Sequence, residues 1–105
     1  MAWVYLIIAG IFEIGWAIAL KYTEGFSRPW PTVFFGVSMT LSVWMLALAL
    51  KTIPVGTGYA IWTGIGAAGT AILGMILFGE SHDGWRLFSI ALIVIGIVAL
   101  KISSS

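Results

Sequence analysis

GIFEIGWAIAL, Gly10–Leu20, holds ten apolar or glycine residues and one carboxylate, Glu13. The apolar character continues outward on both sides. From Trp3 to Leu20 no other residue is charged. A run of about 20 apolar residues is what an α-helix needs to cross a hydrocarbon core about 30 Å thick. The rest of the 105-residue chain has the same composition: 61% hydrophobic, 9% charged, mean hydropathy +1.11. A soluble domain carries roughly 25% charged residues. A soluble fold of this size could not hide so much apolar surface, so the class is integral membrane protein. The net charge of +1 leaves no basic face for nucleic acid. With no cysteine there is no disulfide, thiolate nucleophile or thiolate metal site. One histidine and no triad or metal-ligand cluster argue against an enzyme.

The charges punctuate the chain into four segments. Lys21 to Arg28 is a polar turn followed by Pro29 and Pro31; Lys51-Thr-Ile-Pro54 breaks the chain again; Glu80 to Gly84 forms a third polar loop. Thr32–Leu50 and Val55–Gly79 have no charge. Leu87–Leu100 offers only 14 uncharged residues. Arg86 and Lys101 extend it, since long basic side chains bury their stems and lift their charges to the interface. Trp85 suits an anchor at that boundary. The runs are too long for strands and do not alternate. The expectation is one all-α transmembrane domain over residues 1–105, with helices at approximately 3–21, 32–50, 56–79 and 85–101. A cleavable signal peptide needs a basic stretch before its apolar run. Only Met1-Ala2-Trp3 precedes this one, and the first Lys or Arg is Lys21.

Four spans put both termini on one side. That side carries Lys51 and Lys101; the other carries Lys21, Arg28 and Arg86. Orientation follows the Lys/Arg excess, and two against three scarcely chooses. Either one extra charge suffices, or both orientations are made and the protein pairs with its own inverted copy. The second case would supply within a homodimer the inverted repeat that many transporters carry in one chain.

Glu13 lies about 15 Å along the helix from Trp3, near the middle of the hydrocarbon core. Glutamate is too short to reach either interface from there. Its ionised form must find a partner cation or take up a proton. An ionisable group at this depth is by default a functional candidate; the alternative is a permanently protonated acid hydrogen-bonded inside the bundle. Glu13 shares a helical face with Ala9, Gly10, Trp16 and Ala17. In the third segment Tyr59 and Trp62 share a face, and in the second Ser38 and Ser42 do. A planar cation could take the carboxylate oxygens as a bidentate fork, with Trp16 and Trp62 offering ring faces or edges. Tyr59 and Ser42 are candidates to orient the acid by hydrogen bonds. Gly64 and Gly66 are either a possible hinge or points of close packing. Ser89 and Gly96 begin a small-residue stripe on the fourth segment suited to pairing with another helix. His82 is read as a solvated loop residue.

The chain resembles the small multidrug resistance family over essentially its whole length. The matching elements are Glu13 within FEIGWAIALKYTEGFSR, then IPVGTGYAIWTGIGAAGT, then IALIVIGIVALK. Within that family it looks like the guanidinium-exporter branch, on Trp16, Lys51 before TIPVG, and Lys101. Gly58 departs from the alanine that related sequences often carry. The resemblance implies an antiparallel, dual-topology homodimer, multi-pass in the bacterial inner membrane. It implies that the two Glu13 carboxylates bind protons and substrate in competition, with Trp16, Ser42, Tyr59 and Trp62 as the supporting network. The expected function is a proton-coupled antiporter exporting guanidinium and small substituted guanidinyl cations such as guanylurea. Its partners are a second copy of itself, protons, the cation and the bilayer, with no cofactor beyond the proton gradient and no metal. Two alternatives stay open: export of lipophilic quaternary ammonium cations, with Met39 and its neighbours admitting an alkyl tail, or one subunit of a heterodimeric pair.

Overall fold

The computed structural model describes residues 1–81 and 83–104, so the expectation for His82 lies outside the described residues. Four helices follow one another: α1 (Ala2–Tyr22), α2 (Pro29–Ala49), α3 (Val55–Leu77) and α4 (Gly84–Ser104). At 21, 21, 23 and 21 residues they run about 31–35 Å each at 1.5 Å per residue, long enough to cross the bilayer core. All four meet the length and apolarity of a membrane span. No strand occurs among the described residues.

The helix ends fall where local chemistry puts them. α2 opens at Pro29, three residues before the uncharged run, because proline suits the first helical turn, where its missing N–H costs nothing. α3 stops at Leu77 rather than 79: Gly79 takes a left-handed φ of 65°, the geometry with which helices commonly terminate. α4 is longer than its uncharged run. Asp83 Oδ1 accepts the Arg86 backbone N–H at 2.9 Å, capping the first turn. That backbone N–H, with the Ser81 hydroxyl donating to the other oxygen at 3.1 Å, holds the exposed Asp83 carboxyl below the usual carboxylate range.

α1 is the central helix. It packs against α2 on one side and α3 on the other, while among the described residues α4 packs its backbone against α3 alone. The result is a slab of 42 × 34 × 17 Å. Glycines set the spacing. A Cβ on Gly10 would lie 2.6 Å from Ile65 Cγ2, and one on Gly64 would lie 2.9 Å from Ile97 Cγ1. Small residues at such crossings replace the hydrophobic effect, which does little to join helices already in an apolar solvent.

The packed core sits at one end of the bundle. Leu6 and Ala9 of α1, Leu46 and Ala49 of α2, Ile53 of the connection and Ile61 of α3 form it. Lys101 lies with its ammonium 4.5 Å from the Trp3 ring centroid, which closes α4 against the start of α1 at that same end. Elsewhere the helices present apolar side chains outward. Ile7, Ile11, Val33, Phe34, Val37, Ile95 and Val98 are all exposed. Faces this large and this apolar belong against lipid or another protein. The Ser89–Gly96 stripe of α4 is among the exposed residues, because α4 turns Ile93 and Ile97 toward α3 instead. Trp85, 80% exposed, stands at the start of α4 beside Phe88.

Candidate functional site

Away from the core end, α1 and α3 part into a groove of about 430 Å³. Glu13 stands at its deep end, with Ala17 and Lys21 of α1 and Thr63, Gly66, Thr70 and Gly74 of α3 along it. Glu80 and Phe78 line it at the other end. The groove exists because α3 shows α1 a stripe of hydroxyls and small residues. Thr63, Gly66, Ala67, Thr70 and Gly74 recur at helical spacing on one face. That periodicity is visible in the sequence, but the Thr63 and Thr70 hydroxyls were missed beside the aromatic residues.

Gly66 is what lets the acid lie there. A Cβ at that position would lie 2.5 Å from Glu13 Oε2 and 2.8 Å from Glu13 Cγ. The side chain of Glu13 therefore rests on bare α3 backbone. Its Oε2 is buried and accepts no hydrogen bond; the same holds for the Thr70 hydroxyl in the same groove. Trp16 Nε1 is likewise buried with no acceptor. One turn of α1 thus carries a buried acceptor without a donor and a buried donor without an acceptor. Such groups cost about 1–3 kcal/mol each when left unpaired, and they are retained where a ligand or proton satisfies them.

The other residues of interest divide between two places. Ser42 is fully buried; its hydroxyl donates to the Ala9 carbonyl at 2.6 Å and accepts from Trp62 Nε1 at 2.9 Å. This chain ties α3 to α2 to α1 one helical turn before Glu13. Within one subunit the Ser42 hydroxyl thus bonds to the α1 backbone and the Trp62 indole. Tyr59 lies against Trp62, ring centroids 5.5 Å apart, and is 56% exposed. It makes no hydrogen bond to the acid. Trp16 packs edge-on against Phe35 of α2, centroids 5.7 Å apart, away from the Tyr59–Trp62 pair. Gly64 and Gly66 lie inside one unbroken helix, each at a point of close approach.

Four apolar helices with one acid lodged at depth in an interhelical groove define a multi-pass α-helical membrane protein with an ionisable centre. No set of three or more His, Asp or Glu residues able to hold a metal occurs among the described residues. The family model described as Small Multidrug Resistance protein matches residues 1–93, and the chain belongs to that family. It is 55% identical over 104 residues to a guanidinium exporter of Escherichia coli strain K12, covering 99% of both chains. It is equally similar to a guanidinium exporter of Yersinia pseudotuberculosis, and 54% identical to one of Salmonella typhimurium. Relatives named as exporters make this a transporter rather than an enzyme, and the helical spans place it in the inner membrane of the cell.

Proposed function

We propose that the protein is a proton-coupled antiporter that exports guanidinium and small substituted guanidinyl cations across the bacterial inner membrane. The observation that carries this reading is the Glu13 carboxyl, lodged against Gly66 in the groove between α1 and α3 with Oε2 buried and unpaired. A carboxylate there is neutralised either by a proton or by a cation that donates hydrogen bonds. The two ligands exclude each other. Mutual exclusion plus a swap of the open side is enough to couple their movements, with the proton gradient as the energy source and no other cofactor. A guanidinium ion fits the acid, since its planar N–H pairs match two carboxylate oxygens. The guanidinium exporters that resemble this chain support the same cargo.

The working unit in this reading is an antiparallel homodimer. Three features support it. The Lys/Arg balance favours neither orientation; the Ser89–Gly96 stripe faces outward; and Tyr59 is half exposed beside Trp62. A second copy would cover these faces and bring Trp16, Ser42, Tyr59, Trp62 and two Glu13 carboxylates toward one central space. Gly64 and Gly66 serve the swap by letting α3 slide or bend against its neighbours.

Purified protein in proteoliposomes with a pH gradient tests the reading. Guanidinium should drive proton flux in wild type and none in Glu13→Gln. A quaternary ammonium salt should give the weaker signal, and the opposite ratio would name the lipophilic branch. Retained coupled transport in Glu13→Gln would falsify the mechanism. No signal from the chain alone, restored by a second family member, would point to a heterodimer.

A further inference from the structure

The groove that holds Glu13 at one end has a second carboxylate at the other. Glu80 lines it, seated where Gly74 leaves room; a Cβ on Gly74 would lie 2.9 Å from Glu80 Cδ. Gly66 and Gly74 stand eight residues apart on α3, about 12 Å at helical rise. Glu13 and Glu80 therefore rest against points of α3 about 12 Å apart along one groove.

Glu80 is paired with Arg86. Arg86 Nη2 donates to Glu80 Oε1 at 2.6 Å and to the Ala71 carbonyl at 3.0 Å. Its Nε–H is buried and has no acceptor among the described residues. The side chains of Arg86 and Glu80 are 29% and 45% exposed, so water reaches the pair. Lys21, which lines the groove, has its ammonium over the Phe78 ring, 5.2 Å from the centroid. The group resting on Glu80 is a guanidinium, the same group as the cargo, and it is incompletely satisfied.

Resting on the antiporter reading above, we propose that Glu80 is an outer binding station for the guanidinium cargo, and that Arg86 is a tethered guanidinium which occupies it until cargo displaces it. The exchange trades one guanidinium–carboxylate pair for another. The incoming cation gains a carboxylate as it sheds water, and the displaced Arg86 head, one positive charge now without its acceptor, turns to the part-exposed side of the pair and is hydrated there. From there the Thr70 hydroxyl lies between Gly74 and Gly66, on the way to Glu13. A quaternary ammonium ion has no N–H with which to replace Arg86 on Glu80, so the station adds selectivity as well as capture.

The test is initial exchange rate against guanidinium concentration in proteoliposomes, for wild type, Glu80→Gln, Arg86→Lys and the double variant. Glu80→Gln keeps the shape and removes the charge. It should raise KM about two- to fivefold, the worth of a part-exposed charged contact, with the maximal rate within about twofold. Arg86→Lys keeps charge but loses the planar fork, and should lower KM. In the Glu80→Gln background that gain should vanish, since its target is gone. An unchanged KM in Glu80→Gln overturns the proposal, as does a fall in maximal rate alone, which would mark the pair as a clamp on α4. A gain from Arg86→Lys that persists in the double variant overturns it too. If Arg86→Lys does not purify as a single species, KM of Glu80→Gln decides alone. Wild type without guanidinium exchange sinks the antiporter reading and this one with it; wild-type exchange matched by Glu80→Gln sinks only the outer station.

Discussion

Replacing Gly66 by alanine adds one carbon where α3 passes Glu13. The new Cβ would stand 2.5 Å from Glu13 Oε2 and 2.8 Å from its Cγ. Carbon and oxygen do not approach that closely, so the carboxyl must withdraw by about 1 Å to reach ordinary van der Waals distance. The displaced group is the far end of a flexible side chain. An off-rotamer side chain costs about 0.5–1.5 kcal/mol. Alanine returns about 1 kcal/mol over glycine in helix propensity. The two nearly cancel, and thermal unfolding in detergent should shift little. Function should not be spared. A cation that loses a well-aligned hydrogen bond to a charged group loses about 1.5–3 kcal/mol, or roughly ten- to hundredfold in KM for guanidinium. Gly36→Ala is the control, since nothing lies within 4 Å of its Cβ; it should transport like wild type. The assay is guanidinium-driven proton flux in proteoliposomes alongside the melting curve. Gly66→Ala with wild-type KM would refute the view that bare α3 backbone positions the acid. A collapse of stability matching the loss of transport would refute it as well, because the carboxyl would not then be the part that yields.

Other consequences follow from the same geometry. Ser42→Ala leaves Trp62 Nε1 without its acceptor and should lower stability by about 1–3 kcal/mol, whereas Thr40→Ala removes only an exposed bond to Gly36 of its own helix and should change it by less than about 0.5 kcal/mol; equal effects in denaturant or heat would contradict the inter-helix tie. Asp83 has a folded-state carboxyl held below its unfolded value, chiefly by the Arg86 backbone N–H. Its contribution is therefore complete above the unfolded value and lost as pH falls through the folded one. Hydrogen exchange in the first turn of α4 should rise on acidification, and Asp83→Asn, which still caps, should flatten that rise. Adding four lysines after Lys101, which makes six positive charges against three, should fix one orientation, read by C-terminal reporters on both sides of the membrane, and should depress export in proportion; undiminished export from a single orientation would count against the antiparallel pair.

The class of protein, the number of spans and the place of Glu13 midway along α1 were all legible in the residues taken in order. Hydropathy is a one-dimensional quantity, and a bilayer is a one-dimensional constraint along each helix. Counting from Trp3 to Glu13 therefore puts the acid midway along its helix without any tertiary information. Helix ends were harder, because Pro29 and Gly79 act through backbone geometry rather than through charge. What only the fold decided is which face of each helix meets which neighbour. A helix for lipid is apolar nearly all round, so its pattern does not choose an inner side as a soluble helix's does. The choice is made by close approach and by hydrogen bonds between helices: Glu13 on Gly66, Ser42 on the Ala9 carbonyl, Arg86 on Glu80. Each joins residues on different elements, and each depends on where a side chain ends, which spacing along one helix does not encode.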